Sequence, residues 1–152
     1  MVRGSYSPPV QQFSAGSVQG QDSDGNTGLT IGEGELGLRT DGAQQLRATT
    51  GGVSMRVPVA TVTASDSPYS VGLNDFLILV DSSAGAVEIS LPSAVTAAKR
   101  RYIIKDKGSA STNAITVAAS SGTVDGLGSV SIVNSYAFFT LISDGSNFWV
   151  ID

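Results

Sequence analysis

Apolar and polar residues alternate along much of the second half of the chain. The clearest case is residues 87–91, Val-Glu-Ile-Ser-Leu, which show the period-two pattern of a half-buried strand. Residues 76–80 are apolar without a break, as in a strand that is covered on both faces. The pattern predicts strands at 76–80, 87–91, 102–104, 115–117, 130–132, 136–142 and 148–151.

Turn-forming sequences separate these segments. Asp144-Gly145 predicts a tight hairpin between the last two strands, and residues 82–85 predict a turn after the apolar strand. Only residues 93–99, which follow Pro92 and begin with a capping Ser93, can be helical, for at most two turns. Short strands with turns about every 8–12 residues predict an all-β fold with a β-sandwich or jelly-roll-like C-terminal domain.

The chain changes character near Pro58. Residues 1–57 contain 11 of the 18 glycines and only two aromatic residues. Residues 6–28 show no periodicity that could bury a core. We therefore predict an extended, Gly-rich N-terminal arm with short β-hairpins over residues 1–57, followed by a domain over 58–152. A flexible linker is the alternative, because polar segments of low hydrophobicity also tend to be disordered.

An imperfect repeat occupies the second half of this arm. An apolar residue followed by arginine recurs at spacings of eight and nine residues: Leu38-Arg39, Leu46-Arg47 and Met55-Arg56. A single hairpin of this kind cannot bury its apolar side, and an isolated two-stranded ribbon is marginally stable. We expect three copies of the chain to wind together here, which makes these six residues candidate trimer-forming positions.

Composition argues against several classes of function. The 152 residues carry a formal net charge of −4 and include no cysteine and no histidine, so thiolate metal sites and histidine bases are excluded. Nucleic acid is not an expected partner, because binding it needs concentrated positive charge. We expect no membrane span, which takes about 20 apolar residues, and no secretion by a signal peptide.

Three motifs have a chemical interpretation that the sequence does not favour. Residues 32–37 match G-x-G-x-x-G, but their two glutamates would repel phosphate and no helix is predicted to follow. Residues 22–26 resemble the start of a calcium loop but lack its glycine spacing and flanking helices. Carboxylates for glycoside hydrolysis are available, mostly in turn sequences and with no pair nominated by spacing: Asp66, Asp75, Asp81, Glu88, Asp106, Asp125 and Asp144. We expect neither an enzyme nor a cofactor.

Five of the nine basic residues fall between Lys99 and Lys107. One interpretation is a solvated strand edge, where lysine discourages unwanted strand pairing. The other is a contact with an acidic neighbouring protein or with anionic sugars.

Several segments of the C-terminal half follow one another in a characteristic order. They are FLILVD at 76–81, AVEISLP at 86–92, RYIIKD at 101–106, NAITV at 113–117 and LISDGSNFWV at 141–150. In this order they resemble a β-rich module of bacteriophage particle proteins, found in capsid decoration proteins, head fibres and the distal domains of tail fibres. The resemblance implies a structural protein of the virion and brings no catalytic residues with it.

We expect a capsid decoration, or cement, protein: a homotrimer on the outer capsid surface that binds the major capsid protein and stabilises neighbouring capsomers. A fibre usually needs a long shaft and a tail anchor, for which 152 residues are few. An extended arm gains main-chain hydrogen bonds by adding to an exposed sheet edge. The candidate capsid contacts in this arm are Arg3, Tyr6, Pro8, Pro9 and Phe13.

The alternative function is a tail-fibre or spike tip that binds host surface glycans. Sugar sites commonly combine an exposed aromatic ring with polar groups. Tyr69, Tyr136 and Trp149 are the candidates, although each is at least as compatible with a place in the core.

Overall fold

The computed structural model describes residues 18–21, 28–32, 35–40, 43–49 and 51–151. These residues form fourteen strands and no α-helix, which confirms the all-β prediction. The chain divides into two compact units, Met1–Arg56 and Val57–Asp152. The division lies one residue before the boundary predicted from composition.

The N-terminal unit contains an antiparallel sheet in which each strand pairs with the next one along the chain. We call this sheet the meander. Its strands are β1 (Val18–Gln21), β2 (Gly28–Gly32), β3 (Glu35–Thr40), β4 (Ala43–Thr49) and β5 (Gly52–Met55). The described part of this unit is therefore a folded sheet of five paired strands, which differs from an extended arm because neighbouring strands satisfy one another's backbone groups.

The C-terminal unit contains two sheets. Sheet I has the strand order β14-β13-β10-β8-β6, and sheet II has the order β12-β11-β9-β7. The strands are β6 (Val59–Thr63), β7 (Tyr69–Ser70), β8 (Leu77–Asp81), β9 (Val87–Leu91), β10 (Arg101–Asp106), β11 (Ile115–Ala119), β12 (Ser129–Ile132), β13 (Phe138–Ser143) and β14 (Phe148–Val150). A short 3₁₀ turn, Ala64–Asp66, follows β6.

The first six strands of this unit alternate between the two sheets. As a result β6, β8 and β10 run parallel in sheet I, and β7, β9 and β11 run parallel in sheet II. Successive crossings of this kind resemble the coils of a parallel β-helix. A jelly roll is built from antiparallel strands, so the predicted jelly-roll connectivity is not the observed one. The turn after β8, which the sequence correctly predicts, leads the chain into the other sheet and not back along the same one.

The last three strands close the two sheets with antiparallel pairs. β12 pairs with β11, and β13 pairs with β10 on one side and β14 on the other. The Asp144-Gly145 hairpin between β13 and β14 is confirmed. Gly145 adopts a φ of +99°, a conformation that favours glycine.

One hydrophobic core joins the two sheets. Inward-facing residues of sheet I, such as Ile78 and Ile104, and of sheet II, such as Ile89 and Ile115, are fully buried in the same cluster. The rings of Tyr102 and Phe148 pack within the core at a centroid distance of 6.3 Å. Each sheet therefore covers the inner face of the other.

Residues 93–99, the one segment whose sequence allows a helix of up to two turns, do not form one. This segment forms turns that contain a single helical hydrogen bond, from Ala97 N to Ser93 O at 2.9 Å. Lys99 has a positive φ of 66°, and its amide donates to Ser143 O, which draws the chain into sheet I before a helix can continue. No described element is a helix long and apolar enough to cross a membrane.

Candidate binding surfaces

Most acidic candidates accept hydrogen bonds from the backbone amides of a nearby turn. This group comprises Asp66, Asp75, Asp81, Asp106 and Asp144. Of the other two, Asp125 accepts a bond from Val150 N at 3.0 Å, and Glu88 is exposed on sheet II. The interpretation of the aspartates as mainly turn-forming groups is confirmed. Within the described ranges no three acidic side chains come together as a metal site.

Asp144 illustrates how such a turn is held. Its side chain accepts hydrogen bonds from the indole N–H of Trp149 at 2.6 Å and from the amides of Ser146 and Asn147. These donors, the indole foremost, hold the pKa of Asp144 below its ordinary value. The hairpin thus fixes the position of Trp149 at the end of sheet I.

Asp106 is fully buried at the end of β10. Its carboxylate accepts hydrogen bonds from the amides of Gly108 at 2.8 Å, Tyr136 at 2.9 Å and Ser109 at 3.3 Å. Burial raises the pKa of Asp106, but these donors outweigh it, so the pKa lies below its ordinary value. Asp106 therefore ties the loop after β10 to the turn before β13.

The basic segment from Lys99 to Lys107 is not a strand edge. It runs through β10, which lies inside sheet I between β8 and β13, so the edge interpretation is wrong. Its side chains also point in different directions. Arg100 donates to Leu73 O at 2.6 Å, and Lys107 forms an ion pair with Asp81 at 3.5 Å.

Sheet I has an outer face, turned away from the core, that is largely apolar. Two register rows cross it, Val59–Leu77–Ile103–Thr140 and Thr61–Leu79–Lys105–Phe138, and Arg101, Ile142 and Trp149 extend it. We call these residues the sheet I outer face. Along β8, Ile78 and Val80 are buried while Leu77 and Leu79 are half-buried. Within the C-terminal unit, therefore, only the inner side of this strand is fully buried, which differs from the prediction of a strand covered on both faces.

The outer face of sheet II provides an internal comparison. Its register rows are Ser70–Ser90–Ala118–Ser129 and Glu88–Thr116–Ser131. Small polar side chains of this kind suit a sheet face in contact with water. The same domain therefore has one polar and one apolar outer face. The apolar character is specific to the outer face of sheet I and is not shared by the whole domain surface.

Two cations on the sheet I outer face lie over aromatic rings. The guanidinium of Arg101 is 5.2 Å from the centroid of Phe76, and the ammonium of Lys105 is 5.7 Å from that of Phe138. Lys105 also donates to Tyr136 O. Contacts of this type hold a positive charge beside an apolar surface. The face is therefore apolar with fixed positive charges.

The three aromatic candidates for sugar binding lie in different environments. Tyr69 is half-buried and donates to Asp75 at 3.0 Å. Tyr136 is 68% exposed, has a positive φ of 63° and lies against Gly108, where an added Cβ would meet its ring at 2.7 Å. Trp149 is 44% exposed. Tyr136 and Trp149 are thus surface residues, whereas Tyr69 packs against the core.

The meander also separates apolar from polar positions. Residues that pair directly across strands lie on the same face of a sheet. Two adjoining rows on one face are Val18–Ile31–Leu36–Ala48–Val53 and Gly20–Leu29–Leu38–Leu46–Met55. We call these ten positions the meander apolar face. Val53 and Met55, at its edge strand, are each 72% exposed.

The Leu-Arg repeat has a structural counterpart in this sheet. Leu38, Leu46 and Met55 are consecutive members of one row of the meander apolar face. Arg47 directly follows Leu46 within β4 and pairs with Ser54, so its position belongs to the opposite face. The register shifts between Leu38 and Arg39, and Arg56 is exposed just after β5. The apolar members of the repeat therefore lie side by side in one row of the sheet.

The predicted capsid contacts of the arm are Arg3, Tyr6, Pro8, Pro9 and Phe13. All five lie outside the described residues, and so does the calcium-like segment 22–26. The glycine-rich motif at residues 32–37 spans the connection between β2 and β3. Gly32 ends one strand and Glu35 begins the next, so a strand follows the motif where a dinucleotide site would need a helix.

Comparisons with known proteins do not extend these observations. No protein-family model matches the chain, and no curated protein matches it.

Acidification tests the role of Asp106 in stability. Because its folded-state pKa lies below its unfolded value of about 3.9, its contribution to the free energy of unfolding is present above pH ~4 and is lost as the pH falls through the folded-state pKa. Asp106→Asn removes this titration. The variant should be less stable than the wild type at pH 7 and should lose less stability between pH 7 and pH 3. Urea unfolding followed by Trp149 fluorescence measures both.

The other aspartates with lowered pKa values, Asp66, Asp81 and Asp144, titrate in both proteins and give a common background. Equal losses of stability in the wild type and the variant would contradict the role assigned to Asp106.

Proposed function

We propose that this chain is a structural protein of a bacteriophage particle, a trimeric decoration protein that binds the outer capsid surface and stabilises neighbouring capsomers. The observation that supports the proposal is that the sheet I outer face is largely apolar and carries two positive charges. In this proposal the protein acts only by binding, and its partner is the major capsid protein. The resemblance of residues 76–150 to phage particle modules supplies the biological setting.

The sheet I outer face supports docking onto a protein surface. Val59, in the edge strand β6, is 54% exposed, and Leu77, Leu79 and Ile103 beside it are half-buried. Contiguous apolar patches of this kind commonly mark interaction sites. The face is broad and has few hydrogen-bonding groups, which fits a protein partner better than a small ligand.

The charges on this face favour an acidic partner. Arg101 and Lys105 are held over aromatic rings, and no acidic residue belongs to the two rows that cross the face. A partner that carries carboxylates among apolar side chains would complement it, since complementary charges guide association and fix its register. The basic segment of β10 then contributes to binding through these two residues.

Of the arm predicted over residues 1–57, the proposal keeps the candidate capsid contacts Arg3, Tyr6, Pro8, Pro9 and Phe13, which lie outside the described residues. Three linked arms bind with avidity, so that each single contact can be weak. The sheet I outer face adds a second and broader contact for each copy.

A second candidate function is glycan binding by a fibre or spike tip. The exposure of Tyr136 and Trp149 favours it, because exposed aromatic rings can stack on sugars. Trp149 is already oriented by Asp144 through its indole N–H.

Substitution of the sheet I outer face should weaken capsid binding. Val59→Asp places a carboxylate in the apolar face at an exposed position, so we expect at least about a tenfold loss of affinity for capsids stripped of this protein. Ser131→Asp, which is exposed on the outer face of sheet II, is the matched control and should bind like the wild type. Sedimentation of labelled protein with the capsids measures binding. Equal binding by the two variants would contradict docking through sheet I.

A glycan array distinguishes the second candidate. If the protein is a decoration protein, the wild type should bind no host glycan. Binding that is lost in Trp149→Ala or Tyr136→Ala, with folding intact by circular dichroism, would favour the tip function instead.

A further inference from the structure

We infer that the meander apolar face is the surface through which copies of this chain associate, with its two register rows buried against the same rows of neighbouring copies. The inference deepens the trimer of the proposed function by naming its interface. It does not depend on what the assembled protein binds.

The meander apolar face carries no charge. All ten positions of the meander apolar face are uncharged, and eight of them carry Val, Ile, Leu or Met. The row between its two rows, on the other face, is Gln19–Thr30–Gly37–Arg47–Ser54. A face without charges meets an identical face with no like-charge repulsion, whereas Arg101 and Lys105 make the sheet I outer face unsuitable for pairing with itself.

The meander apolar face is as large as a typical binding patch. Five strands about 4.8 Å apart, each on average about five residues long at about 3.4 Å per residue, define a sheet face on the order of 400 Å². The largest apolar patch on a typical monomer is about 300–600 Å² and often has a binding function. A stable interface buries roughly 800 Å² of accessible surface per partner, so a flat pair would be small. In a closed trimer each copy contacts two neighbours, so surfaces beside the face add to the buried area.

The Leu-Arg repeat places its apolar members on this face. Leu38, Leu46 and Met55 stand side by side in adjacent strands. Spacings of eight and nine residues therefore return an apolar residue to the same row after each turn of the meander. Leu38 and Met55 are exposed in the single chain, and Leu46 is half-exposed. Only the apolar members of the repeat belong to the interface, while Arg47 stays on the opposite face.

Paired substitutions on β5 test the inference. The wild-type full chain should sediment as a trimer at micromolar concentration. Met55→Lys places ammonium groups in the interface and should raise the concentration of half-dissociation at least about tenfold. Ser54→Lys, one residue away on the opposite face, has the same charge change and should leave it unchanged. An oligomer that withstands Met55→Lys would overturn the inference.

Cysteine labelling provides an independent test in case Met55→Lys disturbs the fold of the meander. It measures whether position 55 is buried between copies. The chain has no cysteine, so single variants report on single positions. In the assembled protein, the thiol of the Met55→Cys variant should react with a polyethylene-glycol maleimide at least about tenfold more slowly than that of Ser54→Cys, because only the first is buried between copies. Dilution below the dissociation concentration should abolish the difference. Equal rates would overturn the inference, as would a protected thiol in a Met55→Cys protein that sediments as a monomer.

These outcomes separate the inference from the proposed function. Trimers that depend on Met55 but do not bind capsids would leave the interface standing and remove the decoration function. If the protein binds capsids and its oligomers are unaffected by Met55→Lys, the decoration function stands and the proposed interface is wrong.

Discussion

A β-sheet has two faces, and an apolar face must be covered by something other than water. Sheets I and II cover one another's inner faces, and sheet II turns serine and threonine to the outside. Within the described part of its own unit, neither the sheet I outer face nor the meander apolar face has a second sheet packed against it. The proposals for docking and for self-association both follow from this imbalance.

The C-terminal domain follows the same rule in its core. Because β6 to β11 alternate between the sheets, each inward-facing residue is stacked in register with its equivalent in the next coil, as Ile78 is with Ile104. Asp106 and Asp144 then fix the loops at the ends of the sheets through backbone amides. Through these hydrogen bonds the two aspartates also hold Tyr136 and Trp149 at the surface.

Alternation of apolar and polar residues made the strands of the C-terminal domain predictable. Residues 87–91 form β9 as expected, and Asp144-Gly145 forms the expected hairpin. Alternation does not distinguish parallel from antiparallel neighbours, since both pleat in the same way. The spacing of short strands and turns therefore suggested a sandwich or jelly roll, although the turn at residues 82–85 passes the chain between two sheets.

The N-terminal unit was harder to predict because four of its five strands contain glycine and all of them contain polar residues. The repeat of Leu38, Leu46 and Met55 was the one signal of a common face, and the register of the meander explains it. The rest of that face, including positions 31 and 53, carries no repeat that could be recognised without knowing which strands pair. The apolar outer face of sheet I could not be predicted for a related reason. A strand that is buried on both faces and a strand whose outer face binds a partner protein have the same apolar sequence.

Cryo-electron microscopy of intact phage particles would test the central claim, that both apolar faces are covered in an assembly, most directly. We predict many copies on the shell at threefold positions, with three meander apolar faces meeting and each sheet I outer face against a capsid subunit. A few copies at the tail, or copies whose two faces both remain in solvent, would contradict the account.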